Sequence, residues 1–159
     1  ILSVPKFYSM VDTVVLLDGL HSNYIDPKIK KSSQGVAQVD VRGLSNFIRF
    51  AADAKRGAKE MVLTHSSIRT PDYANSTEAN QALLGQVGVP VVPTNPPLSV
   101  YGEMKEIERA DAGNLHMRGF SGTTAHDHIN HLHLIDDVIR EFCAPRWREQ
   151  ERTAQKNQI

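Results

Sequence analysis

The sequence predicts an α/β fold, a mostly parallel sheet with helices on both of its faces. Three features carry that expectation. Residues 11–18 (VDTVVLLD) and 60–65 (EMVLTH) are short, nearly unbroken apolar runs, the pattern of strands covered on both faces. Two segments, residues 44–56 and residues 76 to about 86, have apolar spacing or caps that belong to helices. Strand, helix, strand, helix and strand therefore alternate, and right-handed crossovers join such units into a parallel sheet.

Each element has a local reason. The run at 11–18 closes on a carboxylate, Asp18, and residues 19–38 are polar, rich in turn formers and read as a loop. Leu44, Phe47, Ile48, Ala51 and Ala54 recur at helical spacing, and Gly57 supplies the stop. Asn75 with Glu78 three residues on is a capping pair for the second helix. Residues 89–92 read as a third short strand bracketed by Pro90 and Pro93, and residues 95–98 (NPPL) as a rigid loop. Residues 103–109 and 114–120 flank a turn at 110–113, which suggests a hairpin or two irregular strands. Residues 1–144 are expected to form one domain. Residues 145–159 read as a polar extension, helical or frayed, anchored by Trp147 alone.

Composition narrows the function classes. A chain of 159 residues with 40% hydrophobic content is an ordinary globular domain with room for a sizeable core. Its 18 Lys and Arg balance 18 Asp and Glu, which leaves no basic field for a phosphate backbone, so no nucleic-acid partner is expected. The single cysteine, Cys143, cannot form an intrachain disulfide and reads as a small buried hydrophobe near a helix end. No apolar run is long enough for a membrane span, and no signal peptide opens the chain. The sequence starts at Ile1 in apolar residues, so upstream residues are expected.

Five of the seven histidines lie in residues 113–142, a stretch that reads as strand, glycine turn and helix. Thr124 followed by Asp127 is an N-cap signature, which starts the helix near Ala125 and assigns Asp127 to capping. At about 100° per residue, His128, Leu132, Ile135, Ile139 and Phe142 share one stripe, with His131 and Val138 at its margin. His126, Asn130, His133 and Asp137 take the opposite face. The stripe aims His128 at the core from the first turn, just beyond a strand, where α/β folds place reactive groups. A helix N-terminus also disfavours imidazolium and leaves a ring able to accept a proton.

A histidine base implies an acid behind it and a nucleophile before it. Asp18 ends the first strand and is the candidate acid, with Asp72 as its competitor. The nearest approach to a G-x-S-x-G elbow is Gly119-Phe120-Ser121-Gly122-Thr123, but every later histidine follows on the adjoining helix. Ser121 therefore reads as part of a glycine-rich turn.

The runs VDTVVLLDGLHSNY, MVLTHSSIRTPDYANSTE and GNLHMRGFSGTTAHDHINHLHLI resemble the C-terminal half of bacterial α/β-hydrolase superfamily proteins, from about Val11 to Phe142. The resemblance is to a secreted or periplasmic-type branch. It implies the chain order nucleophile, acid, histidine, with Asp18 as acid and His128 as base. It also implies that His65, Ser66 and Ser67 line the site, and His21 and His131 are further candidate substrate-binding positions. The serine elbow would lie upstream of Ile1 or on a second chain carrying the N-terminal half, and residues 1–10 would end the helix that follows it. The expected function is then a serine-type hydrolase of an ester, amide or peptide bond in a small-molecule or peptide substrate, without a cofactor.

Two rival readings stand beside it. Residues 126–131 (HDHINH) nearly spell the H-x-H-x-D-H signature of metallo-β-lactamase-like hydrolases, in which zinc activates water. On a helix, His126 and His128 point about 200° apart and cannot share an ion. His128 and His131 can, with Asp18 or His21 as a third ligand. The other rival is a hydrolase-like subunit or binding module without catalysis.

Overall fold

The computed structural model describes residues 1–26, 38–101 and 104–156. Its sheet has five strands, β1 (Thr13–Leu17), β2 (Glu60–His65), β3 (Val92–Tyr101), β4 (Met104–Ala112) and β5 (Leu115–Phe120), in the spatial order β1-β2-β5-β4-β3. Residues 27–37, most of the expected loop, lie outside the described residues.

The α/β class holds, but the sheet is mixed where a mostly parallel one was expected. β1, β2 and β5 run parallel, whereas β5 with β4 and β4 with β3 are antiparallel. The turn between β4 and β5 explains the change, because so short a connection can join only antiparallel neighbours. Gly113 makes that turn at φ 58, and a Cβ there would collide with the carbonyl of Lys55. The expected third parallel strand at 89–92 does not form: residues 89–91 lie outside any strand, and Val92 opens β3, which runs antiparallel through the NPPL segment as a sheet edge. An edge strand tolerates Pro93, Pro96 and Pro97 because its outward side needs no ladder donors.

Helices cover both faces. On one, α2 (Ser45–Lys55) and α3 (Ser76–Gln86) bury Phe50, Ala54, Leu83 and Leu84 against Met61, Leu63, Leu115 and Met117. On the other, Val62, Met104 and Phe120 meet Leu134, Val138 and Cys143. Successive β2 residues thus serve opposite cores, as alternation along a strand requires, and β2 is buried throughout. Gly57 at φ 80 ends α2, and Asn75 with Glu78 forms a reciprocal capping box on α3. A short helix, α1 (Pro5–Met10), precedes β1 and leaves Phe7 and Met10 exposed.

The two halves of the sheet are pinned by a buried histidine and a half-buried glutamate. His65 Nε2 lies 2.9 Å from Glu108 Oε1, close enough to attract but off the line of a ring N–H hydrogen bond. Both residues pair with Gly119 on the strand between them, and a Cβ at 119 would sit 2.6 Å from the His65 ring and from Glu108. The missing side chain at 119 is what lets them meet.

The C-terminal helical run departs from the expected stripe. It comprises α4 (Ala125–Asn130), a 3₁₀ turn (His131–Leu134), α5 (Ile135–Val138), a π turn (Ile139–Cys143) and α6 (Ala144–Lys156). A 3₁₀ turn advances about 120° per residue instead of 100°, so the buried face shifts to His131, Leu134 and Val138 while Leu132 is 63% exposed. Trp147 is not the sole anchor of the tail. Its Nε1 donates to Thr13 Oγ1 at 3.3 Å, but Arg146 binds Asp12 at 3.0 Å and the carbonyls of Gly57 and Ala58. No helix among the described residues is long and apolar enough to cross a membrane.

Candidate functional site

The site forms at the carboxyl ends of the parallel strands. Asp18 follows β1 directly and is the one non-glycine residue among those described with a left-handed backbone, at φ 50. That conformation costs an L-residue roughly 1–2 kcal/mol and persists where contacts over-determine it. The Asp18 N–H donates to Thr64 O at 3.2 Å and to Thr64 Oγ1 at 3.0 Å, and Ser76 donates to the Asp18 carbonyl at 3.0 Å. The bend turns the carboxylate toward the loop after β2, where the Ser66 N–H binds Oδ1 at 2.9 Å and the Ser66 hydroxyl binds Oδ2 at 2.7 Å.

His128 completes this carboxylate shell, with Nδ1 2.8 Å from Asp18 Oδ2. Position 128 is held by the cap of α4. Thr124 accepts from the Asp127 N–H, while Asp127 Oδ2 accepts from the N–H groups of Thr123 and Thr124 and from the Thr124 hydroxyl. Those bonds, the Thr124 hydroxyl foremost, hold the Asp127 carboxyl below its usual range.

Electrostatics keep Asp18 ionised. Burial works to raise its pKa, but the hydrogen bonds from His128 and from the Ser66 side chain and backbone outweigh it, and the net shift is downward. An ionised carboxylate only accepts, so His128 Nδ1 donates to Asp18, and the tautomer this selects has its lone pair on Nε2. Asp18 is buried at 2% exposure, whereas the His128 side chain is 50% exposed. The histidine is therefore far more open to solvent than the acid.

A pocket of about 270 Å³ opens beside the pair, lined by Asp18, His128, His21, Ser66, Ile68, Tyr73 and neighbours from residues 70–76. His21 stands edge-on to Tyr73, ring centres 5.4 Å apart. Of the expected substrate-binding positions, His21 and Ser66 line this space, and the Ser66 hydroxyl is committed to Asp18. His65, Ser67 and His131 do not. His65 is buried against Glu108 and Thr77, and the Ser67 hydroxyl donates to the Phe120 carbonyl at 2.9 Å. His131, fully buried, sits with Nδ1 2.8 Å from Thr64 Oγ1. Its burial pushes the ring pKa down to about 4. Tyr73, Ile68 and Thr64 carried no signal in the sequence beyond their nearness to the second strand.

The expected competitor, Asp72, is exposed in the loop after β2, and His126 is exposed on α4. Among the described residues, no three His, Cys, Asp or Glu side chains are arranged to hold a metal ion. Ser121 does lie in the turn after β5, its Oγ 3.3 Å from the Lys105 N–H. The geometry defines a buried acid, an imidazole with one free nitrogen and a small pocket on an α/β scaffold. Comparison with protein families, with characterised proteins and with solved structures finds no match to this chain.

Proposed function

We propose that this chain carries the acid and the base of a serine-type hydrolase with an α/β-hydrolase-like scaffold, acting on an ester, amide or peptide bond. The supporting observation is the 2.8 Å contact between His128 Nδ1 and the buried, ionised Asp18, in a half-exposed histidine that lines the pocket. In this reading His128 Nε2 takes the proton of a serine hydroxyl as its oxygen bonds to the substrate carbonyl carbon. The same proton passes to the leaving group when the scissile bond breaks. Water then repeats the sequence on the acyl-enzyme and returns the serine. Asp18 stays ionised throughout, fixes the tautomer and stabilises the imidazolium as it forms.

The serine is assigned to a segment outside this sequence. Each serine near the pair has another task, Ser66 and Ser76 on Asp18 and Ser67 on Phe120. The proposed reaction draws its nucleophile from a serine and calls on no metal. The test is a fluorophosphonate probe on the full-length protein or its complex, with and without a chelator. Labelling of a serine that depends on His128 and ignores the chelator is expected. Hydrolysis that resists the probe and stops with the chelator would replace this reading with a zinc enzyme.

A further inference from the structure

Behind the acid and base lies a second polar layer that the proposed reaction leaves unused. Thr64, on the strand beside Asp18, accepts the Asp18 N–H at 3.0 Å, and the same oxygen lies 2.8 Å from Nδ1 of His131. Thr64 is 1% exposed and His131 fully buried. The Thr64 hydroxyl thus joins the Asp18 peptide N–H to the His131 ring. Nε2 of that ring has no hydrogen-bond partner among the described residues, and the neighbouring Phe120 ring lies edge-on at 5.3 Å. A buried polar atom left unpaired is destabilising in either tautomer. For stability alone, an apolar ring would serve better at 131.

What the arrangement secures is the strained residue. Asp18 keeps its left-handed backbone through contacts that include the Thr64 hydroxyl, and His131 bonds the same hydroxyl oxygen. Burial pushes the His131 ring pKa down to about 4, so its bond to Thr64 is one of a neutral ring above that pH. His131 also stands on the turn that continues directly from α4. The segment that delivers the base thus also clamps the backbone that delivers the acid.

We infer that Thr64 and His131 are a positioning pair: the His131 ring orients the Thr64 hydroxyl, which holds the Asp18 backbone so that its carboxylate keeps His128 in register. The catalytic part of this inference rests on the hydrolase reading; the positioning part does not. The experiment uses the full-length protein and compares His131→Phe, Thr64→Val, Thr64→Ser and the Thr64→Val/His131→Phe double variant. Three things are read: urea stability, kcat and KM on an aryl ester, and the downfield proton resonance of the His128 N–H bound to Asp18. His131→Phe is expected to be at least as stable as wild type while kcat falls about 10- to 100-fold at nearly constant KM. Thr64→Val should match it, Thr64→Ser should restore activity, and the double variant should be no worse than the worse single one, because the residues act in one chain. The downfield resonance should move or broaden in His131→Phe and Thr64→Val and return in Thr64→Ser. Singles that keep kcat, a double variant whose losses multiply, or an unmoved resonance would overturn the pair. So would an unfolded His131→Phe protein alongside a fully active Thr64→Val. If hydrolysis proves independent of His128, the hydrolase reading falls, and the resonance alone then decides the positioning role.

Discussion

Glu60 offers the sharpest test of the energetics. It opens β2 with 1% exposure, its Oε1 has no hydrogen-bond partner among the described residues, and the His116 ring and the Arg146 guanidinium stand off at 3.7 Å and 3.9 Å. Burial drives its pKa from the ordinary 4.5 to about 7; Arg146 pulls against this, and Asp12 adds to it. A carboxyl whose folded-state pKa lies above its unfolded value binds its proton more tightly in the folded protein. Its contribution is therefore favourable at low pH and is lost as pH climbs from about 4.5 through about 7. At about 1.4 kcal/mol per pH unit, the loss is roughly 3 kcal/mol. Glu60→Gln removes the charge at every pH and subtracts little from Arg146, which keeps Asp12 at 3.0 Å. Urea denaturation at pH 8 should find the variant more stable than wild type by about 1–3 kcal/mol. At pH 4, below the unfolded value, the two should agree within about 0.5 kcal/mol. A variant that is equal or less stable at pH 8 would refute the reasoning.

Three further outcomes follow from the geometry. Gly119→Ala drives a Cβ to within 2.6 Å of His65 and Glu108 and should cost about 1–3 kcal/mol, read as a lowered denaturation midpoint. Thr124→Ala removes one half of the capping box under His128; about 1 kcal/mol of stability should go, with faster amide exchange in α4. Cys143 is fully buried, with its thiol pushed up to about 11 by burial, so iodoacetamide at pH 8 should modify it only after denaturant is added.

Part of this architecture was legible in the chain itself. β1 and β2 announce themselves as short apolar runs, and both capping boxes are written three residues apart, at Asn75 and Glu78 and at Thr124 and Asp127. Asp18 and His128 were visible because one ends a strand and the other begins a helix. The expectation failed where local rules yield to tertiary context. Prolines at 93, 96 and 97 argued against a strand, yet an edge position forgives them. A constant 100° step put Leu132 and Ile135 inside, but the 3₁₀ turn at residues 131–134 rotated His131 and Leu134 there instead. The partnerships of His65 with Glu108 and of Arg146 with Asp12 cross long stretches of chain and obey no spacing rule, so nothing in the order of residues foretold them.

The central claim is that the imidazole held by Asp18 moves the proton in bond hydrolysis. Its most direct test is the turnover of an activated ester by the full-length protein against its His128→Gln variant, with folding checked by circular dichroism. Loss of the base should lower kcat by at least about a hundredfold, and Asp18→Asn should fall in the same direction. A His128→Gln protein that is folded and hydrolyses the ester within a few-fold of wild type would contradict the account.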